Sequence, residues 1–280
     1  MNRVLIAGCG YVGTLLGLHL QKQGDEVYAL RRNIDTLPSE LQPLAADLNE
    51  PDTLKDLPLF DTVFYAAAAS GGDINAYRKA YVDGPRNLLA NLKSMAKKFI
   101  YLSSTRVYGE HGGAWVNEQT NPQPLDKQAE LLLEGERIAE QIECVSYILR
   151  LGGIYGPGRD FFIRHIKNNH ESLSASTQSF TNRIHVDDIV AICAAFHQEN
   201  MGPGIYLGVD SEPVSQAELY LWMTKELGLS KPRLTDERTQ NPHRGNKRCS
   251  NQKLRDAGFK FRYPSFREGY GAMLKASHSS

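Results

Sequence analysis

A glycine run, Gly8-Cys9-Gly10-Tyr11-Val12-Gly13, stands between two segments that leave it few structures to adopt. Before it, Val4-Leu5-Ile6-Ala7 is a short continuous apolar run of the kind a buried parallel strand needs. After it, Thr14 to Gln23 carries Leu15, Leu16, Leu18 and Leu20, enough apolar surface for a helix packed on a sheet. A strand, a glycine turn and a helix in that order make a cradle for a dinucleotide. Gly8 allows the tight turn, and Gly10 lets the backbone approach a pyrophosphate. Gly13, seconded by Gly17, lets helix and strand close together. The diphosphate then meets the helix N-terminus, where unpaired N–H groups and the helix dipole favour negative charge.

The apolar runs that follow alternate with helical stretches, the layout of a doubly wound α/β sheet. Strands are expected at Glu26 to Leu30, Leu44 to Ala46, Thr62 to Ala66, Lys98 to Leu102 and Cys144 to Leu151. Helices are expected over Ile74 to Met95 and Lys127 to Ile142. Beyond Gly152 glycine, proline and polar residues interrupt shorter elements. A boundary is therefore placed there. Residues 1–151 form a dinucleotide-binding domain. Residues 152–280, with a helix from Gln216 to Leu227, complete the sheet and form a small substrate-binding lobe.

Charge and cysteine usage exclude several classes. With 32 basic against 32 acidic residues, no global field points to nucleic acid or an acidic membrane surface. Cys9, Cys144, Cys193 and Cys249 show no CxxC spacing, which suggests reduced thiols in a cytoplasm. A strand beginning almost at Met1 leaves no room for a signal peptide, and no apolar run reaches the roughly 20 residues of a membrane span. The 8 histidines form neither HExxH nor a Cys/His cluster, so no metal site is expected.

Further along, the motifs accumulate. Asp47-Leu48 follows the third expected strand, and Ala66, Ala67, Ala68 and Ala69 close the fourth. The stretch from Tyr81 to Leu89 reads YVDGPRNLL, and that from Phe99 to Gly109 reads FIYLSSTRVYG. Leu149 to Gly158 reads LRLGGIYGPG, and Ile184 to Ile189 reads IHVDDI. In this order the motifs resemble those of the extended short-chain dehydrogenase/reductases, the NAD(P)-dependent epimerases and dehydratases, over nearly the whole chain. The resemblance implies a Rossmann-type α/β fold with a small C-terminal lobe. It also implies that Asp47-Leu48 reaches the adenine and that the alanines floor the cofactor site. Ser103, Leu151 and Gly152 line that site on the same grounds, and a homodimer follows through the long helices after the fourth and fifth strands.

The family's acid/base is a tyrosine followed four residues on by a lysine, which lowers the phenol's pKa. None of the 13 tyrosines here has a lysine at that spacing. Aligning Asn121-Pro122 with the family proline puts Asp126 at the tyrosine position and Glu130 at the lysine position; the alternative register puts Gln123 before Lys127. In this the chain looks more like the atypical, YeeZ-like branch than like a sugar-nucleotide epimerase. Three catalytic candidates remain. Ser104 aligns with the serine that hydrogen-bonds the reacting oxygen, unless it merely satisfies local backbone. Tyr108 either enters the same cleft or packs beneath the loop. Asp126 could move a proton, or it caps the following helix. Glu110, His111 and Glu118 lie in the same loop, and His185 reads as a packing residue rather than a base.

The second strand ends Ala29-Leu30-Arg31-Arg32, where an NAD site would end in Asp or Glu. Two guanidiniums suit a 2′-phosphate, which favours NADP with NAD as the alternative, although arginines also decorate loop starts. For the substrate, a small molecule, Tyr155 and Arg159 fall in the stretch resembling the family's cleft lining. Arg244, Lys247 and Arg248 lie where sugar-nucleotide members often grip a diphosphate. Three readings follow: an NADP-dependent oxidoreductase or epimerase/dehydratase-like enzyme with a rearranged proton donor, a dinucleotide-binding sensor or partner-binding protein that has lost the chemistry, or a hydrolase or transferase on a similar α/β frame, against which the lack of a GxSxG elbow and of a P-loop speaks.

Overall fold

The computed structural model describes residues 1–94, 96–169, 172–174, 179–235 and 245–278. It divides into two compact units: residues 1–107, 126–150 and 189–206, and residues 108–125, 151–188 and 207–280. The chain passes between them several times, where the change of texture after Gly152 suggested one crossing.

The main sheet contains β1 (Arg3–Ala7), β2 (Glu26–Arg31), β3 (Gln42–Ala45), β4 (Thr62–Tyr65), β5 (Lys98–Ser104), β6 (Val145–Leu151) and β7 (Gly204–Gly208). Their order is β7-β6-β5-β4-β1-β2-β3, a parallel, doubly wound α/β sheet. β1 lies between β2 and β4, with Leu5 opposite Tyr28 on one side and Val63 on the other. Val4, Leu5, Ile6 and Ala7 are all fully buried, because helices cover both faces, and this explains an unbroken apolar run in place of alternation. The strand order reverses between β1 and β4, the point at which sheets of this kind open a crevice at the carboxyl ends of their strands. β7 was not anticipated: its sequence, Gly-Ile-Tyr-Leu-Gly, is short and glycine-bounded.

Helix α1 (Tyr11–Lys22) follows β1, and α4 (Lys127–Glu140) precedes β6. The expected helix from Ile74 runs only to Asn91, and Met95, its expected end, lies outside the described residues. It comes in three pieces: α2 (Ile74–Arg78), one widened π-type turn over Lys79–Asp83, and α3 (Gly84–Asn91). Two buried phenols meet the widened turn. Tyr65 of β4 donates to the Ala80 carbonyl at 2.6 Å, and Tyr101 of β5 donates to the Tyr81 carbonyl at 3.1 Å. Their rings stack at 5.4 Å within a core that includes Leu5, Leu88, Phe99 and Ile148.

The second unit has its own core, in which Tyr155, Ile166, Leu219, Met223, Phe266 and Tyr270 pack together. Its helix Gln216–Glu226 is capped by the Ser215 hydroxyl, which accepts from the Glu218 N–H. No helix among the described residues is long and apolar enough to cross a membrane.

Candidate active site

Gly8 turns at φ +85°, and a Cβ there would lie 2.4 Å from the Ala67 backbone, so the loop rests directly on the end of β4. Gly10 is exposed, and a side chain built on it would meet nothing nearer than 4.0 Å. Tyr11, Val12 and Gly13 open α1, whose N-terminus has no side-chain cap and no acidic residue in its first turn. An open backbone approach beside an uncapped, uncontested helix N-terminus fits the diphosphate of a dinucleotide.

Around this loop lie the other expected cofactor residues of the first unit. Arg31, at the end of β2, is half-buried and donates to the Cys9 carbonyl at 3.4 Å. Arg32 is exposed and stands 4.0 Å from the Asp47 carboxylate. Asp47 also accepts from the Asn49 N–H at 2.9 Å, which closes a tight turn after β3. Leu48 is buried in the core, and its carbonyl accepts from the Asn87 amide at 2.9 Å. Ala66 extends the β1–β4 ladder through its N–H to the Ala7 carbonyl, and Ala68 is exposed.

At the end of β5 the two serines diverge. Ser103 is buried, and its hydroxyl donates to Glu136 of α4 at 2.5 Å. Glu136 is held by Arg150 of β6 through Nε at 3.0 Å and Nη2 at 2.7 Å. Both charged side chains are almost fully enclosed, with exposures of 4% and 3% for Arg150 and Glu136. The Ser103 hydroxyl, expected at the cofactor, therefore closes a buried ion pair. Ser104 sits at the strand end, half-buried, and its Oγ accepts from the Arg106 N–H at 3.2 Å.

Asp126 caps α4, with one oxygen accepting from the Ala129 N–H at 2.9 Å and the other from Arg106 Nη2 at 2.5 Å. Of the two roles open to it in the sequence, the structure gives it the cap, reinforced by an ion pair. Arg106 Nη1 donates to the Tyr77 hydroxyl at 3.2 Å. Glu130 pairs with Lys127 at 2.6 Å.

Several candidates belong to the second unit. Tyr108 is fully buried and donates to the Asn117 carbonyl at 2.8 Å, so it packs beneath its loop instead of entering a cleft. Tyr155 is likewise a core residue: it is 2% exposed and stacks on Tyr270 at 4.2 Å, which corrects its expected place in a substrate cleft. His185 lies against Tyr155 and Tyr263, and burial pushes its pKa down, so it is a neutral packing group. Leu151 is buried, and the Gly152 N–H donates to the Gly208 carbonyl. Glu110 accepts from the Gly112 and Asn246 N–H groups, His111 bonds the Tyr108 carbonyl, and Glu118 accepts from the Leu207 N–H.

Arg159 is exposed at a turn. Arg248 donates to the Gly113 carbonyl at 2.7 Å, with its guanidinium between Trp115 and Phe180. Lys247 is buried on the Gly109 carbonyl, and Arg244 lies outside the described residues. Among the described residues, no three His, Cys, Asp or Glu side chains gather as metal ligands.

Reading the sequence missed four residues: Tyr77, Arg106, Glu136 and Arg150. Arg150 did carry a signal, since an arginine inside the apolar run of β6 demands a buried counter-ion. Arg106 lies inside the Phe99–Gly109 motif, but Tyr77 carries no motif at all.

Comparison with known proteins agrees with this geometry. Residues 4–207 match the sequence model of the NAD dependent epimerase/dehydratase family. A solved structure from Methylobacillus flagellatus, provisionally assigned as an NAD-dependent epimerase/dehydratase, is 33% identical. It superposes with a TM-score of 0.83 over 99% of each chain. MoeE5, solved with UDP-glucuronic acid and NAD, is alike in fold, with 22% identity, a TM-score of 0.81, and coverage of 100% of this chain and 99% of its own. The dTDP-6-deoxy-L-talose 4-dehydrogenase (NAD(P)(+)) of Kitasatospora kifunensis is 28% identical over 169 residues, 55% of this chain and 53% of that protein. The chain spans about half the length of the curated relatives it matches. With a family match over most of its length and a related structure aligned end to end, the chain belongs to the NAD-dependent epimerase/dehydratase family.

Proposed function

We propose that this chain is an oxidoreductase or epimerase/dehydratase-like enzyme that binds a nicotinamide dinucleotide, NADP(H) in preference to NAD(H), and acts on an anionic, nucleotide-sugar-like substrate. The observation that carries this reading is the glycine loop: Gly8 seated on Ala67, Gly10 open, and α1 uncapped beside them. When bound, the nicotinamide supplies or accepts a hydride. Tyr11, Val12 and Gly13 offer backbone N–H groups to the phosphates, and Arg31 and Arg32 offer guanidiniums to a 2′-phosphate. Asp47, Leu48 and Ala66 to Ala68 hold the adenosine end, with Leu151 and Gly152 assigned to the same cofactor. Ser104 hydrogen-bonds the reacting oxygen. Arg159 and Arg248, within residues 152–280, are assigned to the substrate's negative charge. The ligand of MoeE5 and the sugar nucleotide named for the Kitasatospora enzyme support this substrate class. A cytoplasmic homodimer belongs to the same reading.

Titration of the purified protein with NADPH and NADH, followed by nicotinamide fluorescence, tests it. NADPH is expected to bind more tightly. Arg31→Ala or Arg32→Ala should remove a charge-assisted hydrogen bond, about 1.5–3 kcal/mol and so about tenfold or more in Kd. Equal binding of both nucleotides, unchanged by either substitution, would reject the NADP preference. Asp126 and Glu130 in place of the Tyr/Lys pair favour a second reading, a dinucleotide-binding sensor. Tight NADPH binding without turnover of any sugar nucleotide would select it.

A further inference from the structure

Arg106 touches two hydroxyl groups, and it donates to both. Its backbone N–H reaches Ser104 Oγ at 3.2 Å, and its Nη1 reaches the Tyr77 hydroxyl at 3.2 Å. A hydroxyl that accepts a hydrogen bond from a cation or an amide still has its own proton to give. Among the described residues, no acceptor takes the proton of either Ser104 or Tyr77.

The remaining contacts fix this arrangement. Arg106 Nη2 is clamped by Asp126 at 2.5 Å, and Asp126 is anchored in turn by the Ala129 N–H, so the guanidinium is held from α4. Its Cζ lies over the Tyr77 ring, 5.7 Å from the centroid. Tyr77 packs on Tyr81 with ring centroids 5.3 Å apart. The phenol thus stands beside the turn Thr105–Tyr108 that follows β5, which Asp126 ties to the start of α4. It is half-buried, neither sealed in the core nor loose in solvent. Asp126, bonded through both oxygens as an acceptor, is poorly placed to deliver a proton itself.

We infer that Tyr77 is the proton-transferring residue of this chain, paired with Ser104 through Arg106, and that Asp126 serves as the positioning residue that holds Arg106. The inference rests on the proposed oxidoreductase reading. In the reducing direction the substrate carbonyl carbon gains a hydride from the reduced nicotinamide that reading requires. The carbonyl π pair moves onto oxygen, and that oxygen takes the phenolic proton of Tyr77. The phenolate left beside the guanidinium recovers a proton from water. Oxidation of the alcohol runs through the same atoms in reverse.

Two measurements on the full chain test this. The first is nitration of tyrosines by tetranitromethane, mapped by peptide mass spectrometry, with and without NADPH and UDP-glucuronic acid. Tyr77 should be nitrated in the bare protein and several-fold more slowly with both ligands present. The second compares Tyr77→Phe with wild type on a panel of 4-keto sugar nucleotides. The variant should bind NADPH as wild type does, keep its KM, and lose about 100-fold or more in kcat, the contribution of a general acid. Asp126→Asn should lower kcat less and displace its pH profile, since it loosens Arg106 without removing the phenol. Protection of Tyr77 by the two ligands supports the assignment even where no panel member turns over. Nitration at the same rate with and without ligands, while NADPH binds, overturns it, as does full turnover by Tyr77→Phe. A wild-type protein that takes up no NADPH overturns the proposed function, and this assignment with it.

Discussion

The buried triad of Ser103, Glu136 and Arg150 joins three neighbouring elements through one carboxylate, which accepts from a hydroxyl and from the fork of a guanidinium. Removing one charge from such a pair leaves the other buried and uncompensated, at a cost of about 3–5 kcal/mol. Glu136→Gln should therefore lower stability by that order in urea unfolding. Glu136→Leu combined with Arg150→Met should recover most of the loss, because the desolvation penalty goes with both charges. A double variant as unstable as the single one would show that packing, and not the stranded guanidinium, sets the cost. At this scale the sequence was legible wherever one residue type serves one purpose. Gly8 needs its positive φ and its seat on Ala67, and both are implicit in a glycine after a buried strand. Tyr77 and Arg106 were not legible, because their meeting depends on α2 lying beside the turn after β5 and on no spacing along the chain.

Among the elements, the widened turn at Lys79–Asp83 departs furthest from what helix propensity foresees. π-type turns are rare and come as single turns within helices, frequently at functional sites. Here the turn presents carbonyls to Tyr65 and Tyr101, and it lies directly between Tyr77 and the motif glycine Gly84. Nothing in the stretch from Tyr77 to Asp83 announces it, since the partners are phenols on two distant strands. The facing helix α4 is fitted to the same feature. A Cβ on Gly135 would come within 2.1 Å of the Tyr101 hydroxyl and 2.3 Å of the Tyr81 carbonyl. Alanine is favoured over glycine in a helix by about 1 kcal/mol, so Gly135→Ala would stabilise an unpacked helix. In this one it should lower the melting temperature, and adding Tyr101→Phe should restore only part, because the backbone carbonyl still stands in the way. A melting temperature raised by Gly135→Ala would reject this packing. The strands were easier to foresee: β1, β2 and β4 to β6 fall within a residue or two of their expected bounds, since continuous apolar runs mark buried parallel strands.

For the molecule as a whole, the response to pH turns on buried imidazoles. His197 hydrogen-bonds Thr62 and Asp25, and His185 lies under Tyr263. Burial lowers both pKa values, against the pull of Asp25 and Asp61 on His197 and with the help of Lys98. The unfolded chain takes up protons near the ordinary imidazole value of about 6.5 that the folded chain resists, so the stability these groups contribute is present above that pH and falls below it. Asp188 and Asp210, whose pKa values burial raises, act in the opposite direction. The difference in melting temperature between wild type and His197→Gln should therefore narrow as pH falls from 8 toward 5.5. A difference constant across that range would mean that His197 contributes packing alone.

The Arg106–Asp126 pair also bears on which substitutions the start of α4 accepts. Asp126→Tyr with Glu130→Lys would install a tyrosine and a lysine at a spacing of four, yet each step strands a charge. The first deprives Arg106 of its carboxylate, and the second sets a new lysine against Lys127, which now pairs with Glu130. The double substitution is therefore tolerated better when Arg106 is changed as well. The start of α4 is thus electrostatically interlocked, so that a change at Asp126 or Glu130 alone leaves a neighbouring cation without its partner.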